Sequence, residues 1–439
     1  MLTPESVTIE SLGERGIPSP LKLSTVIGDG VVNFVSDGAR MPAHVEITPG
    51  RDRQDEVLFE KAGPRRTIYF DPARTRAAVV TCGGLCPGLN NVIRSIFLEL
   101  HYYYGVEHVL GIRYGYMGLD PANDTMPIEL TPEIVEDIHR EGGTVLGSSR
   151  GAINHASAVR FLKGRRVNVL FCIGGDGTQR GAHALAEEAK RQDYPLAVVG
   201  VPKTIDNDIM YVQRTFGYHT AVDKACEVVG CAHTESKGAP NGIAIVKLMG
   251  RDAGFIAAGA AVASQDVNFA LVPEVPFELE GPGGLLDLLR ARLLSRNHAV
   301  IVVAEGAGQH LIGQREIRRD ASGNILHEDI GPFLAKAVKD HFTGRDVPAT
   351  VKYIDPSYII RSVPANCEDA LLCDQLARNA VHAGMAGKTD VLIGYWYGVL
   401  IHVPIMLAVS RKKQMDLEGE LWRAALAATG QPVRIGPQE

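Results

Sequence analysis

Short apolar runs that alternate with helix-length amphipathic segments constrain the fold of this chain more than any other feature. From Arg76 onwards such runs occur at residues 77–81, 109–112, 167–173, 196–201, 242–248, 269–272, 299–303, 350–354 and 391–394. Strands separated by helices indicate parallel sheets with βαβ crossovers. Because nine strands are more than one sheet usually contains, we predict an α/β fold of two doubly wound, Rossmann-like parallel-sheet units with an active-site cleft between them.

The predicted boundaries follow from where this pattern begins and breaks. Residues 1–75 carry proline, charge and weak alternation, and we expect an N-terminal arm or small β-containing extension packed on the main body. One α/β unit is predicted over residues 76–217 and 359–407. The other is predicted over residues 218–358 and 408–439, and it includes a C-terminal tail.

The run at residues 196–201 leads into a dense polar cluster, P-K-T-I-D-N-D at residues 202–208. Pro202 has no N–H to donate and should end the strand. Two carboxylates one residue apart at the C-terminal end of a strand can divide labour, with one accepting a proton and the other orienting groups or a metal. Thr, Asp and Asn also cap helices and close turns, so a capped turn is the alternative for this cluster taken alone.

Three glycine-rich loops have the chemistry of phosphate binding. C-G-G-L-C-P-G-L-N-N at residues 82–91 precedes an amphipathic segment, and glycines at such a junction let the backbone approach a phosphate. G-G-D-G-T at residues 174–178 adds Asp176, a hard oxygen ligand for a divalent ion that bridges phosphates. The loop at residues 142–151 contains Arg150, which suits a bidentate phosphate contact. A tight turn, a capping aspartate and a solvent-facing arginine are the respective alternatives, but the three loops together with the polar cluster predict phosphoryl transfer.

Charge and cysteine content exclude several classes of partner and site. The net charge is −6 and the one short basic run is Arg411-Lys412-Lys413, so we expect neither nucleic acid nor a membrane as a partner. The seven cysteines are odd in number and contain no C-x-x-C, which favours reduced thiols over disulfides or a zinc site. The N-terminus has no secretory pattern and the small-apolar run at residues 254–263 is too short to span a bilayer, so a cytoplasmic protein is expected.

Five motifs in order along the chain carry a family resemblance. They are G-G-x-x-P-G-x-N at 83–90, G-G-D-G-T at 174–178, P-K-T-I-D-N-D at 202–208, M-G-R at 249–251 and Y-I-I-R at 358–361. Over about residues 76–407 the chain resembles the 6-phosphofructokinases, in particular the long ATP-using enzymes of the kinetoplastid and bacterial type, which are close relatives of the pyrophosphate-using enzymes. G-G-D-G-T also resembles NAD kinases and diacylglycerol-type lipid kinases, but the P-K-T-I-D-N-D stretch argues against both.

The resemblance implies an ATP-dependent transfer to the 1-hydroxyl of fructose 6-phosphate, giving fructose 1,6-bisphosphate with Mg²⁺ as cofactor. Asp206 would be the general base on that hydroxyl, and Asp208 would orient the site. Asp176 would hold Mg²⁺. Lys203 and Arg251 would neutralise the charge that builds on the transferred group. This hypothesis requires Asp176 and Asp206 to face one cavity.

The resemblance also assigns binding residues to the two units. The unit that begins at residue 76 would bind the nucleotide through Gly83, Arg150, Gly151, Gly175, Gly177 and Thr178. The sugar phosphate, bound mainly by the other unit, would be held by Thr204, Met249, Gly250, Glu305, Tyr358 and Arg361. Tyr116 either flanks the nucleotide or belongs to the core.

The expected phosphoryl donor depends on position 177. By the resemblance, pyrophosphate enzymes carry aspartate there, and a carboxylate at that point would crowd and repel the α-phosphate of ATP. Gly177 leaves the space open and favours ATP. Lys203 is typical of the pyrophosphate enzymes, but the long ATP enzymes combine this lysine with the open glycine.

Two alternatives to the ATP-dependent enzyme stay open on the sequence. One is a pyrophosphate-dependent phosphofructokinase, and the other is a non-catalytic, nucleotide-sensing regulatory subunit. The second alternative is disfavoured, because a site that has lost catalysis has no physical need to keep all four charged groups that the resemblance assigns to catalysis and the metal. These groups are Asp176, Asp206, Asp208 and Arg251.

Subunit contacts and regulation follow the resemblance less closely. Gly242 stands where short bacterial enzymes carry an arginine that reaches the neighbouring subunit's sugar phosphate, and residues 348–352 hold no clear second arginine of this kind. Members of the family are allosteric, but of the basic pair at the short enzymes' effector site only Arg94 is matched, with Phe97 at the other place. The resemblance implies a homotetramer or homodimer and no particular effector.

Overall fold

The main body of the protein is built on two separate β-sheets. The computed structural model describes residues 2–46, 57–151, 153–313, 326–344 and 347–437. Within these ranges the strands are β1 (Glu10–Ser11), β2 (Ile17–Pro18), β3 (Arg40–Pro42), β4 (Leu58–Lys61), β5 (Thr67–Ile68), β6 (Arg76–Thr81), β7 (His108–Ile112), β8 (Ile128–Glu129), β9 (Val169–Gly174), β10 (Ala197–Pro202), β11 (Gly242–Leu248), β12 (Phe269–Leu271), β13 (His298–Ala304), β14 (Thr350–Ile354), β15 (Lys388–Thr389), β16 (Val391–Trp396) and β17 (Val399–Pro404).

Helices occupy most of the segments between the strands. They are α1 (Leu89–Leu98), α2 (Pro132–Val135), α3 (His155–Gly164), α4 (Asp176–Arg191), α5 (Tyr218–Lys237), α6 (Phe255–Ser264), α7 (Leu285–Arg296), α8 (Ile330–Phe342), α9 (Ser357–Ser362), α10 (Cys367–Met385), α11 (Ile405–Ala408) and α12 (Glu420–Thr429). Across the described ranges, no helix combines the length and apolar character needed to cross a bilayer.

The larger sheet has nine strands in the order β3-β4-β17-β16-β10-β9-β6-β7-β8. Its five central strands, from β16 to β7, are parallel. The smaller sheet, β12-β13-β11-β14, is parallel throughout. All nine apolar runs that the sequence predicted as strands are strands, and the prediction of two Rossmann-like α/β units is confirmed.

Burial explains why the central strands read as continuous apolar runs. Every residue of β9 and β10 is buried, because helices cover both faces of a parallel sheet. Helix α10 packs against one face with α1, and α4 packs against the other. The strands next to the site are therefore fixed in the core and can position the loops that follow them.

A small β-containing N-terminal extension was predicted from the sequence, but none of the outer strands of the large sheet was predicted individually. Strands β3 and β4, which fall within the predicted N-terminal arm, extend the sheet through an antiparallel pair between β4 and β17. Glu60 of β4 connects this edge to the main body, because its carboxylate accepts a hydrogen bond from Lys388 at 3.0 Å and pairs with His402 at 3.1 Å. The domain boundaries themselves stay a prediction.

Register brings the loops of the site together. Pro202 at the end of β10 lies opposite Gly174 at the end of β9, and Thr81 at the end of β6 lies opposite Ile173. In the smaller sheet Leu248 lies opposite Ala304. The carboxyl ends of parallel strands share one edge of a sheet, so the loops after β6, β9 and β10 meet on one side and those after β11 and β13 on the other.

Candidate active site

A cleft of about 540 Å³ lies at the carboxyl ends of the strands and takes residues from both sheets. Asp176 and Asp206 face this one cavity, as the sequence hypothesis required. All the predicted site residues except Gly250 and Tyr358 line it: Gly83, Arg150, Gly151, Gly175, Asp176, Gly177, Thr178, Lys203, Thr204, Asp206, Asp208, Met249, Arg251, Glu305 and Arg361. Their assigned roles stay predictions.

Lys203 lies beneath the first glycine loop. Its Nζ donates a hydrogen bond to the Gly84 carbonyl at 2.5 Å, and a Cβ added at Gly83, where φ is +87°, would stand 3.2 Å from that nitrogen. A glycine at position 83 therefore serves both the left-handed backbone and the close approach of the lysine. Burial lowers the pKa of Lys203, and the Arg150 and Arg361 guanidinium groups lower it further. An entering anion would relieve this concentration of positive charge.

The second glycine loop becomes the first turn of α4. Gly175 is the N-cap, and Asp176, Gly177 and Thr178 are the first three helical residues. Backbone N–H groups at a helix start are unpaired and favour anions. A Cβ at Gly174 would fall 2.1 Å from the Thr178 Oγ1, so the strand can run into the helix only with glycine at that position. The local sequence thus produces a helix start whose backbone N–H groups can accept an anion, with the Asp176 carboxylate beside them.

The loop after β10 is held by its own polar side chains. Thr204 Oγ1 donates to Asp208 Oδ1 at 2.8 Å and accepts from the Asp206 N–H at 3.2 Å. Asn207 has φ +55°, and its Oδ1 accepts from the Thr215 N–H at 3.0 Å. The cluster is therefore a capped turn as well as a site. These bonds leave the Asp206 carboxylate turned to the cleft.

Asp206 is the most perturbed acid of the cleft. Burial, together with the negative charges of Asp208 and Glu305, raises its pKa to about 7. Its Oδ2 accepts one long hydrogen bond, from the Arg251 N–H at 3.4 Å. Its Oδ1 is buried and finds no hydrogen-bond partner within the part of the chain that the structure describes. A buried carboxylate that lacks donors holds a proton readily and can accept one from a bound hydroxyl.

The second unit closes the opposite wall of the cleft. Glu305 follows β13, and its N–H donates to the Leu248 carbonyl at 2.9 Å. Met249, 6% exposed, and Arg251 follow β11. Gly250 does not line the cleft. At its φ of +132° an added Cβ would stand 2.6 Å from the Ala253 carbonyl oxygen, so it serves the turn that presents Arg251.

Tyr358 is the other predicted residue that the structure leaves out of the cleft. Its side chain on α9 is 84% exposed. One turn further along, Arg361 lies over the Tyr358 ring at 5.1 Å and lines the cleft, held by a hydrogen bond from its Nε to the Ser357 carbonyl at 3.2 Å. The sugar-phosphate contact assigned to Tyr358 stays a prediction.

Lys412, like Arg180 and Asp252, is a charged residue of the cleft that the sequence analysis missed. Its Nζ lies 3.0 Å from Asp176 Oδ2 and 2.5 Å from Asp208 Oδ2. The signal in the sequence was the basic run Arg411-Lys412-Lys413, to which no function was assigned from the sequence. Tyr116 is a buried residue, 5% exposed, whose hydroxyl donates to the Thr178 carbonyl at 2.6 Å, and it also lines the cleft. Its contact with a nucleotide stays a prediction.

The acidic groups suit a magnesium ion that arrives with a nucleotide. Among the described residues, no group of three or more His, Cys, Asp or Glu side chains could hold a metal alone. Mg²⁺ usually binds through one or two carboxylates plus substrate phosphates and water, and Asp176 provides such a carboxylate at the start of α4. Burial raises the pKa of Asp176, the Lys412 charge lowers it and the Asp208 charge raises it.

Comparison with known proteins agrees with this geometry. Residues 76–384 match the family described as Phosphofructokinase. The chain is 47% identical over 434 residues to an ATP-dependent 6-phosphofructokinase of Borreliella burgdorferi, covering 97% of each chain. It is 46% identical to one of Amycolatopsis methanolica, covering 86% of this chain and 83% of that one. The pyrophosphate-dependent phosphofructokinase of Marinobacter aquaeolei has a similar fold, with a TM-score of 0.67, 20% identity and coverage of 83% of this chain and 94% of the other.

Proposed function

Because this chain belongs to the phosphofructokinase family, we propose that its cleft transfers the terminal phosphoryl group of ATP to the 1-hydroxyl of fructose 6-phosphate, giving fructose 1,6-bisphosphate. The ATP-dependent activity is favoured over a pyrophosphate-dependent one because the relatives that align with nearly the whole chain are named ATP-dependent enzymes. Those same names argue against a non-catalytic regulatory subunit.

One observation supports the chemistry above the others: a buried acid with a pKa of about 7 faces the same cleft as the carboxylate at the start of α4. Phosphoryl transfer needs little covalent help from a protein, and its catalysis consists of positioning and charge stabilisation. In this mechanism Asp206 accepts the proton of the sugar hydroxyl as that oxygen attacks the phosphorus. Asp208, held by Thr204, keeps the loop in place.

Cations on both walls oppose the charge of the two anionic substrates. Lys203 and Arg251 approach the transferred group from the nucleotide unit and the sugar unit respectively, and they stabilise the charge on its oxygens. Arg150 and the first turn of α4 receive the nucleotide phosphates, and Glu305, Met249 and Arg361 receive the sugar phosphate. Asp176 would hold Mg²⁺, which when bound neutralises the phosphates of the donor.

A direct comparison of donors tests this proposal. With fructose 6-phosphate and Mg²⁺ present, we expect steady-state turnover with ATP, and kcat/KM for pyrophosphate at least about 100-fold lower, since pyrophosphate lacks the nucleoside and the α-phosphate, and binding energy from the non-reacting parts of a substrate helps to stabilise the transition state. Equal or greater turnover with pyrophosphate would assign the chain to the other donor class. Binding of ATP without any turnover would support the regulatory alternative.

The pH dependence of activity should report the state of Asp206. A base must be deprotonated, so kcat/KM should rise with pH and level off above about 7, falling about tenfold per unit below that value. In D208N one neighbouring negative charge is gone, and the lost repulsion lowers the pKa of Asp206. The inflection should therefore move to lower pH in D208N, while ionisation of the substrate phosphate stays common to both profiles. An inflection at the same pH in both enzymes would contradict Asp206 as the base.

We also propose a compartment and an assembly state for this protein. All seven cysteines are free thiols, and burial raises the pKa of Cys86 and Cys373 well above its usual range, which keeps these thiols unreactive. A reducing compartment such as the cytoplasm suits this state. We propose a homotetramer or homodimer, in keeping with the exposed Tyr358 beside the cleft. Size-exclusion chromatography with light scattering measures the state directly.

A further inference from the structure

The C-terminal residues 409–416, here called the strap, cross the catalytic loop and are fixed at several points. The Lys413 N–H donates to the Asp208 carbonyl at 2.9 Å, and Lys412 forms an isolated antiparallel bridge with Ile209. The Met415 N–H donates to Glu274 Oε1 at 2.9 Å. Arg180 Nη2 of α4 donates to the Val409 carbonyl at 2.5 Å. Backbone contacts thus determine where the strap side chains point.

Of the three consecutive basic residues, Lys412 alone lines the cleft. Arg411 is exposed. Lys413 points elsewhere, because its Nζ donates to the Val212 carbonyl at 2.6 Å and lies over the Phe255 ring. Lys412 reaches both Asp176 and Asp208. Its side chain is 31% exposed and lines the cleft that the substrates would enter.

We propose that Lys412 is a positioning residue that occupies the metal-binding oxygen of Asp176 until the nucleotide arrives, and so keeps free divalent ions out of the empty site. This inference rests on the proposed function, because it takes Asp176 as the metal ligand. The ammonium group is paired with both Asp176 and Asp208 and offsets one of their two negative charges. A divalent ion that approaches alone meets a like charge and must break two ion pairs to bind.

The same arrangement favours a metal that enters with phosphates. Nucleotide phosphates bring negative charge and oxygen ligands that the empty cleft lacks, and they offer the displaced ammonium group a new partner. Lys412 then moves its charge from the carboxylates to the phosphates, a short change for a flexible side chain that is already part-exposed. The chain thereby couples occupancy by the ion to occupancy by the donor.

The alternative is that Lys412 only braces the strap. A bracing role and a competing-cation role predict opposite changes in metal-ion affinity when Lys412 is replaced. Loss of a brace leaves two carboxylates badly placed and cannot improve ion binding, whereas loss of a competing cation leaves the same two carboxylates free to take the ion.

Mn²⁺ binding in the absence of nucleotide tests the inference, with free Mn²⁺ measured by electron paramagnetic resonance. We expect K412M and K412Q each to bind one Mn²⁺ at least about tenfold more tightly than the parent enzyme, the scale expected when a partly buried carboxylate loses its ion-pair partner. K412R should bind as weakly as the parent, because it keeps the charge. R411M removes one positive charge from the exposed neighbour and should also match the parent.

The double variant K412M/D176N identifies the binding site, because it should lose the tighter Mn²⁺ binding expected of K412M. Thermal melting and circular dichroism of K412M and K412Q establish that both are folded. Mn²⁺ binding by folded K412M and K412Q no tighter than by the parent or R411M would overturn the inference, as would a gain that survives D176N. If instead D176N phosphorylated fructose 6-phosphate with ATP and Mg²⁺ as fast as the parent, the proposed role of Asp176 would fail. This activity result is distinct from the Mn²⁺-binding result.

Discussion

Replacing Asp206 with serine or asparagine should lower kcat about 1000-fold, within the 100- to 10,000-fold that a general base contributes, while KM for ATP changes little. Neither side chain can accept the hydroxyl proton at neutral pH. The cations around the transferred group remain, so a residual rate above the uncatalysed reaction is expected from positioning and charge stabilisation. Single-turnover kinetics with saturating ATP and fructose 6-phosphate separate this chemical loss from any change in product release.

Stability provides the control for this variant. The pKa of Asp206 is about 7 in the folded protein and its ordinary value is 3.8, so the folded state binds the proton more tightly than the unfolded state. The contribution of this group to folding therefore falls as pH rises from about 4 to about 7. D206N carries no such charge, and its melting temperature at pH 8 should equal or exceed that of the parent. An inactive variant that also melts much lower would point to a structural role for Asp206, and full activity in D206S would reject it as the base.

The elements that the sequence predicted well are those whose signal is local. Strand β11 spans the predicted residues 242–248, because five of the six residues between Gly242 and the Met-Gly turn are apolar or small and leave few other conformations. The loops after β6, β9 and β10 could be placed in one site for a second reason. Carboxyl ends of parallel strands lie at one edge of a sheet, so a correct strand assignment implied that the glycine loops and the polar cluster converge.

Strand β17 was not predicted, although the turn before it carries a local signal. It follows a two-residue turn in which Tyr397 and Gly398 both have positive φ, at +44° and +84°, the hairpin geometry that matches the twist of paired strands. The glycine was a usable signal, but a tyrosine at the preceding turn position obscured it. Strand β4 had no such signal, because a four-residue strand with one fully buried side chain owes its conformation to β17 across the sheet.

Lys412 was missed for a different physical reason. It lies 204 residues from Asp208 along the chain, and no periodicity connects the two. What brings them together is the backbone path of the strap, which depends on hydrogen bonds to Glu274 and Asp208. Charge pairs between distant segments are set by packing, and composition shows only that a lysine is available.

Replacing Gly177 with aspartate should abolish most ATP use, lowering kcat/KM for ATP by about 100- to 1000-fold, because like charges in contact at a binding surface cost several kcal/mol. Gly177 is the second residue of α4 and lines the cleft between Asp176 and Thr178. A carboxylate there would add negative charge beside Asp176 where the nucleotide phosphates enter. Pyrophosphate has no α-phosphate bearing a nucleoside, so turnover with pyrophosphate should fall less or rise. Initial rates with both donors measure the ratio.

G177A separates crowding from charge. A methyl group adds bulk without charge, so if repulsion dominates, G177A should keep ATP turnover within about tenfold of the parent, the scale of a one-methyl change in a pocket. If G177A and G177D lose ATP activity equally, bulk alone excludes the nucleotide. Lys203 is unchanged in both variants and lies beneath the first glycine loop with its Nζ on the Gly84 carbonyl, so any gain with pyrophosphate would show that this lysine suits either donor and that position 177 selects between them. ATP activity in G177D within a few fold of the parent would instead mean that donor choice is made elsewhere in the cleft.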